Sequence, residues 1–212
     1  MDEIENLSED ERMRTGLRHS DYKAIERFDD FETPNKGTLL ELKNLIFKRN
    51  TKIILSIEDL KFFYGNIIGI VGENGIGKST LAKIICGLYK ENKGKILKDD
   101  ENLNIKSRLN ESLLIMQEVN YQLFTDSVKD EIVLTSNIKD DYVLDNWLKD
   151  MELKNISDRN PHTLSGGQKQ RVIILSALLS DKKILFFDEP TSGLDYRNMK
   201  IVAKNIKKIK EE

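Results

Sequence analysis

Residues 72–80 read Gly-Glu-Asn-Gly-Ile-Gly-Lys-Ser-Thr, a combination of residue types that binds the phosphates of a nucleotide. The stretch fits the pattern G-x-x-x-x-G-K-[ST] at every fixed position. Glycines let backbone N–H groups wrap an anion, the lysine adds a mobile cation, and the serine hydroxyl can bind Mg²⁺. A glycine-rich turn without a ligand does not account for the adjacent Lys78 and Ser79. The residues expected to form this phosphate loop are Gly72, Asn74, Gly75, Gly77, Lys78, Ser79 and Thr80.

Residues 164–168, Leu-Ser-Gly-Gly-Gln, predict a second anion-binding element. A hydroxyl and two glycines stand before an apolar helical run, and a helix N-terminus offers free N–H groups and the positive end of its dipole to an anion. Alone, Ser-Gly-Gly also makes an ordinary loop before a helix. The residues expected to contact the anion are Ser165, Gly166, Gly167 and Gln168.

Two carboxylates, Asp188 and Glu189, follow the apolar run 184–187, which predicts a buried strand. Asp188 at the strand end suits Mg²⁺, reached through water, because Mg²⁺ keeps much of its hydration. Glu189 comes one residue later, points elsewhere, and suits polarising an attacking water. The alternative, a surface Asp-Glu pair, is weak in a chain that also carries a phosphate loop.

Apolar patterns beside these motifs predict the elements that hold them. The run 67–71 predicts a buried strand entering the phosphate loop, and Leu81, Ile84, Ile85 and Leu88 predict the inner face of a helix leaving it. Residues 39–47 and 53–60 fit two strands of a capping sheet. Strand, helix and strand around a phosphate loop favour a mostly parallel α/β sheet with the nucleotide at its carboxyl edge.

Composition narrows the class of partner. The chain of 212 residues has 34 Lys plus Arg and 36 Asp plus Glu, and its net charge of -2 gives no electrostatic case for nucleic acid. No apolar run approaches the roughly 20 residues that span a bilayer. The acidic start is unlike a secretion signal. A cytoplasmic protein, held at the membrane only by a partner, is expected.

The three motifs occur in the order typical of the nucleotide-binding domain of ATP-binding cassette (ABC) proteins, which the chain resembles from about residue 39 onward. The resemblance implies an α/β P-loop NTPase with a mostly parallel sheet, an N-terminal antiparallel β region and an inserted helical subdomain at about 118–178. Residues 1–37 read as a linker or extension and 38–212 as the ABC domain. ATP and Mg²⁺ are the implied cofactors. A second ABC domain, in a homodimer, a heterodimer or a tandem protein, and transmembrane transporter subunits are the implied partners.

The resemblance also assigns residues that spacing alone leaves open. Gln117 matches the glutamine that contacts Mg²⁺ and water and links to the membrane partner, so the implied metal ligands are Ser79, Gln117 and Asp188. Asp195 matches the loop at the dimer interface, although it also fits an ordinary turn. Arg49 stands where the family has an aromatic residue for adenine, and its planar guanidinium can stack on a base. Residues 121–128 resemble energy-coupling factor importers.

The implied function is that of an ATP-hydrolysing importer subunit driven by nucleotide-dependent dimer closure. The family's late histidine is missing, since no histidine follows His162, and the chain stops 17 residues after Asp195. A C-terminally incomplete domain, or half of a double cassette, is therefore expected. Two alternatives stay open: a soluble ABC ATPase of repair or translation, and a fragment that binds nucleotide without turnover. Only 87 positions separate Lys78 from Ser165, too few for the long coiled coils of the repair type.

Overall fold

The computed structural model describes residues 37–136, 138 and 140–211. These residues form two compact units. The sheet unit comprises residues 37–114 and Lys182–Asp188, and the helical unit comprises Ile115–Asp181 and residues 189–211. The extension expected at residues 1–37 lies outside the described residues except for Gly37.

The sheet unit is built on a four-stranded antiparallel sheet with the order β2-β1-β3-β4. The strands are β1 (Thr38–Arg49), β2 (Lys52–Phe63), β3 (Lys93–Lys98) and β4 (Glu101–Asn102). The pairing of β1 with β3 is interrupted between Lys43 and Ile46, and Gly94 of β3 faces this irregularity. The two predicted capping strands, and with them the N-terminal antiparallel region, are confirmed.

The first helix packs against this sheet through the apolar face that the sequence predicts. Helix α1 (Lys78–Ile85) buries Ile84 and Ile85 in one cluster with Leu40, Leu42 and Leu45 of β1. Each such side chain contributes about 1.5–3 kcal/mol when it is fully buried. Helix α2 (Ile105–Glu111) follows, and β5 (Ser112–Ile115) forms a two-stranded sheet with β6 (Ile184–Phe187). The strand predicted before Asp188 is thereby confirmed.

One predicted strand is wrong. Residues 67–71 have no regular structure, and their apolar side chains are exposed, Val71 at 87%. A strand needs a neighbour to satisfy its backbone N–H and C=O groups, and within the described residues no strand pairs with this run. The placement of Leu88 on the inner helix face is also wrong, because α1 ends at Ile85 and Gly87, at φ 77°, turns the chain away.

The helical unit holds four helices: α3 (Val128–Thr135), α4 (Asp141–Asp150), α5 (Gly166–Leu178) and α6 (Tyr196–Glu211). Short 3₁₀ turns lie at Val119–Gln122, Lys154–Ile156 and Pro161–Thr163. Helix α5 is the centre of this unit, and its residues from Gln170 to Leu178 are buried. No helix among the described residues is long and apolar enough to cross a membrane. The boundaries predicted for a helical subdomain, about 118–178, stay a prediction.

Candidate functional site

The phosphate loop ends in a helix whose first turn has no side-chain cap. Gly77 is the N-cap of α1 and has φ 109°, a conformation that favours glycine. A Cβ at Gly77 would also lie 3.3 Å from the carbonyl oxygen of Ile54 in β2. The first N–H groups of a helix have no partner within it. Glycine at this position therefore keeps the loop close to β2 and leaves the helix amides available to an anion.

The side chain of Lys78 is hydrogen-bonded to backbone carbonyl groups of the phosphate loop. Its Nζ donates to the carbonyl oxygens of Gly72 at 2.7 Å and Glu73 at 2.9 Å. Ser79 and Thr80 follow in the first turn of α1 and are half-buried, whereas Asn74 and Gly75 are exposed. The structure thus gathers a cation, two hydroxyls and a helix N-terminus within one short segment, which is the donor set that phosphate oxygens require.

Gln117 and Glu189, the two residues predicted to contact the attacking water, are hydrogen-bonded to each other. Gln117 follows β5, and its Nε2 donates to Oε2 of Glu189 over 3.0 Å. Glu189 has φ 52°, a left-handed conformation that costs a residue with a Cβ roughly 1–2 kcal/mol. The carbonyl oxygen of Glu189 accepts from Ser192 N at 3.0 Å, which closes a turn. Glu189 therefore begins a turn, whereas Asp188 directly follows β6.

The predicted metal ligands are a hydroxyl, a carboxylate and an amide. No group of three or more His, Cys, Asp or Glu side chains suited to a metal ion occurs in the described part of the chain. Because Gln117 donates through Nε2, its amide oxygen is the atom suited to a cation. A small set of hard oxygen ligands fits Mg²⁺, which keeps several waters and takes phosphate oxygens, and does not fit zinc.

Ser165 and Gln168 cap helix α5 reciprocally. Ser165 Oγ accepts from Gln168 N at 3.4 Å, and Gln168 Oε1 accepts from Ser165 N at 3.0 Å. Gly166 has open space where a Cβ would be, whereas a Cβ at Gly167 would press on Leu194 at 3.3 Å. The exposed Gly166 is the position where a ligand can approach the backbone, and the side chain of Gln168 shapes the helix end.

Asp195 directly precedes helix α6 and is connected to α5 through Asn198 and Arg171. Its Oδ1 accepts from Asn198 N at 2.8 Å, and the side chain of Asn198 accepts from Arg171 Nη1. Arg171 Nε donates to the carbonyl oxygen of Met151 at 2.9 Å, and burial lowers the pKa of the Arg171 guanidinium. The 165–168 segment and the Asp195 loop therefore share one packed support within the helical unit.

Arg49 ends β1 and lines a cavity of about 510 Å³ beside the phosphate loop. Ser79 and Thr80 line the same cavity, together with the aromatic residues Phe47 and Tyr89. The sequence reasoning missed Tyr89. Its only signal is an aromatic residue just after the glycine that ends α1, and no pattern links it to Phe47, 42 positions earlier.

A buried carboxylate that the sequence reasoning also missed organises the segment after Gln117. Glu131 is 2% exposed, and its Oε2 accepts from Phe124 N, Thr125 N and Thr125 Oγ1 at 2.8–2.9 Å. The segment presents Tyr121 and Phe124 with 75% of each side chain exposed. Three charged residues, Lys129, Asp130 and Glu131, lie between the apolar Val128 and Ile132 of α3, so the sequence does not single out Glu131 as the buried one.

Three comparisons with known proteins agree. Residues 55–192 match the family model described as ABC transporter. The chain is 43% identical over 176 residues to an ABC transporter ATP-binding protein of Treponema denticola, and this match covers 83% of the chain but only 36% of that protein. It is 37% identical over 194 residues to energy-coupling factor transporter ATP-binding protein EcfA1 of Mycoplasma mobile, covering 86% of the chain and 69% of that protein. Among solved structures, cbiO1 from Clostridium perfringens, part of the ABC transporter complex cbiONQ, matches with a TM-score of 0.70 and 28% identity over 82% of this chain and 74% of that one.

Proposed function

Because the chain belongs to the ABC transporter family of ATP-binding domains, we propose that it binds ATP with Mg²⁺, hydrolyses it, and thereby powers a membrane importer. The α/β fold is that of ABC ATPase domains, as the match to cbiO1 shows. The chain spans about a third of the length of the Treponema relative.

The observation that carries the proposal is the conformation of residues 72–80. A left-handed glycine begins α1, the helix has no side-chain cap, and the ammonium of Lys78 lies against the loop carbonyls. In this arrangement α1 amides, the Lys78 ammonium and the Ser79 hydroxyl are the groups that would hold the phosphates. Mg²⁺, when bound, neutralises charge on the β- and γ-phosphates.

Glu189 is the proposed general base. Gln117 engages Oε2 of its carboxylate, which leaves Oε1 as the oxygen suited to accept a proton from water. The left-handed backbone of Glu189 fixes where that carboxylate starts from. Gln117 is proposed to orient the carboxylate and, through its amide oxygen, to bind Mg²⁺, and Ser79 and Asp188 are the other two proposed ligands.

A second ABC domain completes the proposed site. The amides of Gly166 and Gly167 lie at an exposed helix N-terminus, so the cap residues Ser165 and Gln168 present them to a phosphate held by the other domain. Asp195 is linked to the same helix through Asn198 and Arg171. A contact made by Asp195 across the interface would therefore affect the position of this helix end.

The importer assignment and its membrane partner are supported by the relative named EcfA1 and by the exposed aromatic pair Tyr121 and Phe124. Aromatic side chains are enriched at protein interfaces. Peripheral attachment to the cytoplasmic face of a membrane follows from this proposal. Co-purification of the tagged chain with integral membrane proteins supports it, and co-purification with ribosomes would instead indicate a translation factor.

The test measures ATP binding and phosphate release separately. Lys78→Ala is expected to lower ATP affinity about tenfold or more, because it removes the cation of the phosphate loop. Glu189→Gln is expected to keep binding but lower hydrolysis by roughly 100-fold or more, the contribution of a general base. Glu118→Gln, which neutralises an exposed carboxylate next to Gln117, is the matched control and should change neither quantity.

If Glu189→Gln hydrolyses ATP as fast as the wild-type chain, Glu189 is not the general base. ATP binding that is unchanged in Lys78→Ala contradicts the phosphate site itself. Binding without any hydrolysis by the wild-type chain identifies it as a nucleotide-binding fragment that does not turn over.

A further inference from the structure

Helix α1, which follows the phosphate loop, is capped at only one of its ends. At its N-terminal end Gly77 offers no side-chain cap, the first turn holds no acidic residue, and Lys78 places a positive charge at the positive end of the helix dipole. The chain that enters the loop forms no strand at residues 67–71, and residues 72–76 are exposed. A helix of eight residues is marginal on its own in water. The position of the loop amides therefore depends on what holds the rest of α1.

The C-terminal end of α1 has its carbonyl groups satisfied. Gly87, at φ 77°, ends the helix, and its N–H donates to the carbonyl oxygen of Ile84 at 3.0 Å. Leu88 N donates to the carbonyl oxygen of Lys83 at 2.8 Å, and these two bonds form a Schellman motif. A Cβ at Gly87 would lie 2.8 Å from the carbonyl oxygen of Ile105, so glycine lets helix α2 approach this end closely.

Arg108 of α2 adds a buried positive charge at the same end. Its side chain is 2% exposed, Nη1 donates to the carbonyl oxygen of Ile84 at 2.8 Å, and Nη2 donates to Oε2 of Glu91 at 2.9 Å. The C-terminal end of a helix is the negative end of its dipole, so a cation there stabilises the helix. Among the described residues, the buried Nε of Arg108 has no hydrogen-bond partner. The Ile84 carbonyl and the Glu91 carboxylate therefore fix the direction of the guanidinium.

Helix α2 is itself fastened at both ends. Asn104 Oδ1 accepts from Ser107 N at 2.9 Å and caps the N-terminus of the helix. In the last turn, Glu111 forms an ion pair with Lys98 of β3. Arg108 thus connects an anchored helix to the end of α1 that lies opposite the phosphate loop.

We propose that Arg108 is a positioning residue for the phosphate loop: from α2 it holds the C-terminal end of α1 and thereby keeps the uncapped amides at the other end in place for the phosphates of ATP. This inference rests on the proposed function of the loop. A side chain that capped the first turn would compete with phosphate for the same amides. The helix is therefore held at the end that no ligand needs. Because a buried ion pair adds little net stability over apolar side chains of similar size, the directed donors of Arg108 are what this position requires.

The test measures equilibrium binding of ATP with Mg²⁺ to the 212-residue chain and its variants. Arg108→Met keeps apolar bulk without the charge and should raise the dissociation constant roughly three- to thirtyfold, because the loop spends less time in its binding conformation. Arg108→Lys keeps a cation that can donate to Ile84 and should stay within about threefold of wild type. Lys106→Met removes the same charge from an exposed position of α2 and, as the matched control, should leave binding unchanged.

Hydrogen exchange gives a second readout that needs no variant. In the wild-type chain without nucleotide, the amides of residues 82–85 in α1 should be less protected than those of β1, because α1 opens locally. Saturating ATP should raise their protection, since the nucleotide binds only the closed helix.

The outcomes separate this inference from the proposed function. Unchanged ATP binding in Arg108→Met, with binding lost in Lys78→Ala, overturns the positioning role and leaves the proposed function standing. An equal loss of affinity in Lys106→Met assigns the effect to net charge, and an equal loss in Arg108→Lys shows that a cation at the helix end is not what matters; either result overturns the role of Arg108. A wild-type chain that does not bind ATP refutes the proposed function itself.

Thermal unfolding shows whether Arg108→Met is folded. If it is not, hydrogen exchange of the wild-type chain decides. Amides of α1 that are as protected as those of β1 without ATP leave no local opening for Arg108 to suppress, and this result also overturns the positioning role.

Discussion

Replacing Glu131 by alanine is expected to lower the free energy of unfolding of the helical unit by about 3 kcal/mol. The carboxylate is buried and accepts three hydrogen bonds from Phe124 and Thr125, two of them from backbone N–H groups. The substitution removes all three at once. It should release the segment that presents Tyr121 and Phe124.

The magnitude follows from the surroundings of the donors. A hydrogen bond to a charged group is worth about 1.5–3 kcal/mol, and bonds that share one oxygen are not additive. The exposed Phe124 backbone can be rehydrated, and removing the carboxylate also removes the cost of burying its charge. These offsets place Glu131→Ala near 3 kcal/mol and Thr125→Val, which removes one hydroxyl donor, near 1 kcal/mol. For a chain of this size, these values correspond to roughly 6–12 °C and 2–4 °C in Tm.

Urea unfolding followed by tryptophan fluorescence suits this measurement, because the single tryptophan, Trp147, is buried in α4 of the same unit. Glu118→Gln serves as the control, since it changes an exposed carboxylate of that unit. A Glu131→Ala variant as stable as Thr125→Val would refute the view that this one carboxylate organises the segment.

Two further predictions concern the sheet unit. Gly94→Ala should cost about 3 kcal/mol or more in unfolding free energy, because its Cβ would lie 2.5–2.6 Å from backbone atoms of β1, whereas Gly37→Ala, also at positive φ but in open space, should cost only about 1–2 kcal/mol; equal urea midpoints for the two variants contradict this. The pKa of Glu41 lies below its ordinary value of 4.5, because Lys43 and Lys61 donate hydrogen bonds to its carboxylate. Its stabilising contribution is therefore present above about pH 4.5 and lost as the pH falls through the lowered pKa, so Glu41→Gln should flatten the acid limb of stability against pH, and an unchanged slope excludes this contribution.

The sequence predicted the elements that local chemistry dictates. The glycine, lysine and hydroxyl residues of the phosphate loop predict the start of α1, and the apolar residues 39, 40, 42, 45, 46 and 47 predict β1. The strand predicted at residues 67–71 is wrong because strand formation depends on residues outside this run. The apolar character of the run predicts burial, but a strand also depends on neighbours that hydrogen-bond to it, and these are not encoded in the run itself.

Contacts between residues far apart in the sequence explain why other features of the structure were not predicted. The stacking of Phe47 on Tyr89 joins residues 42 positions apart, and no periodicity reveals it. The capping role of Gln168, by contrast, was readable, since Ser165 and Gln168 have the spacing of a capping box. The side chains of Ser165 and Gln168 thus stabilise the helix end, and the backbone N–H groups are what remains for a phosphate.

The β1-β2 hairpin extends beyond the part of β1 that pairs with β3. Strand β3 pairs with β1 only from Glu41 to Ile46, so the last residues of β1, 47–49, are held by β2, by Asn92 and by the stacking of Phe47 on Tyr89. Arg49 sits at this outer end, away from the cluster around Leu42. Insertions or deletions at the hairpin turn can therefore alter the cavity that Arg49 lines without disturbing the core. The lining of this cavity can thus change in evolution or by protein engineering at little cost to folding.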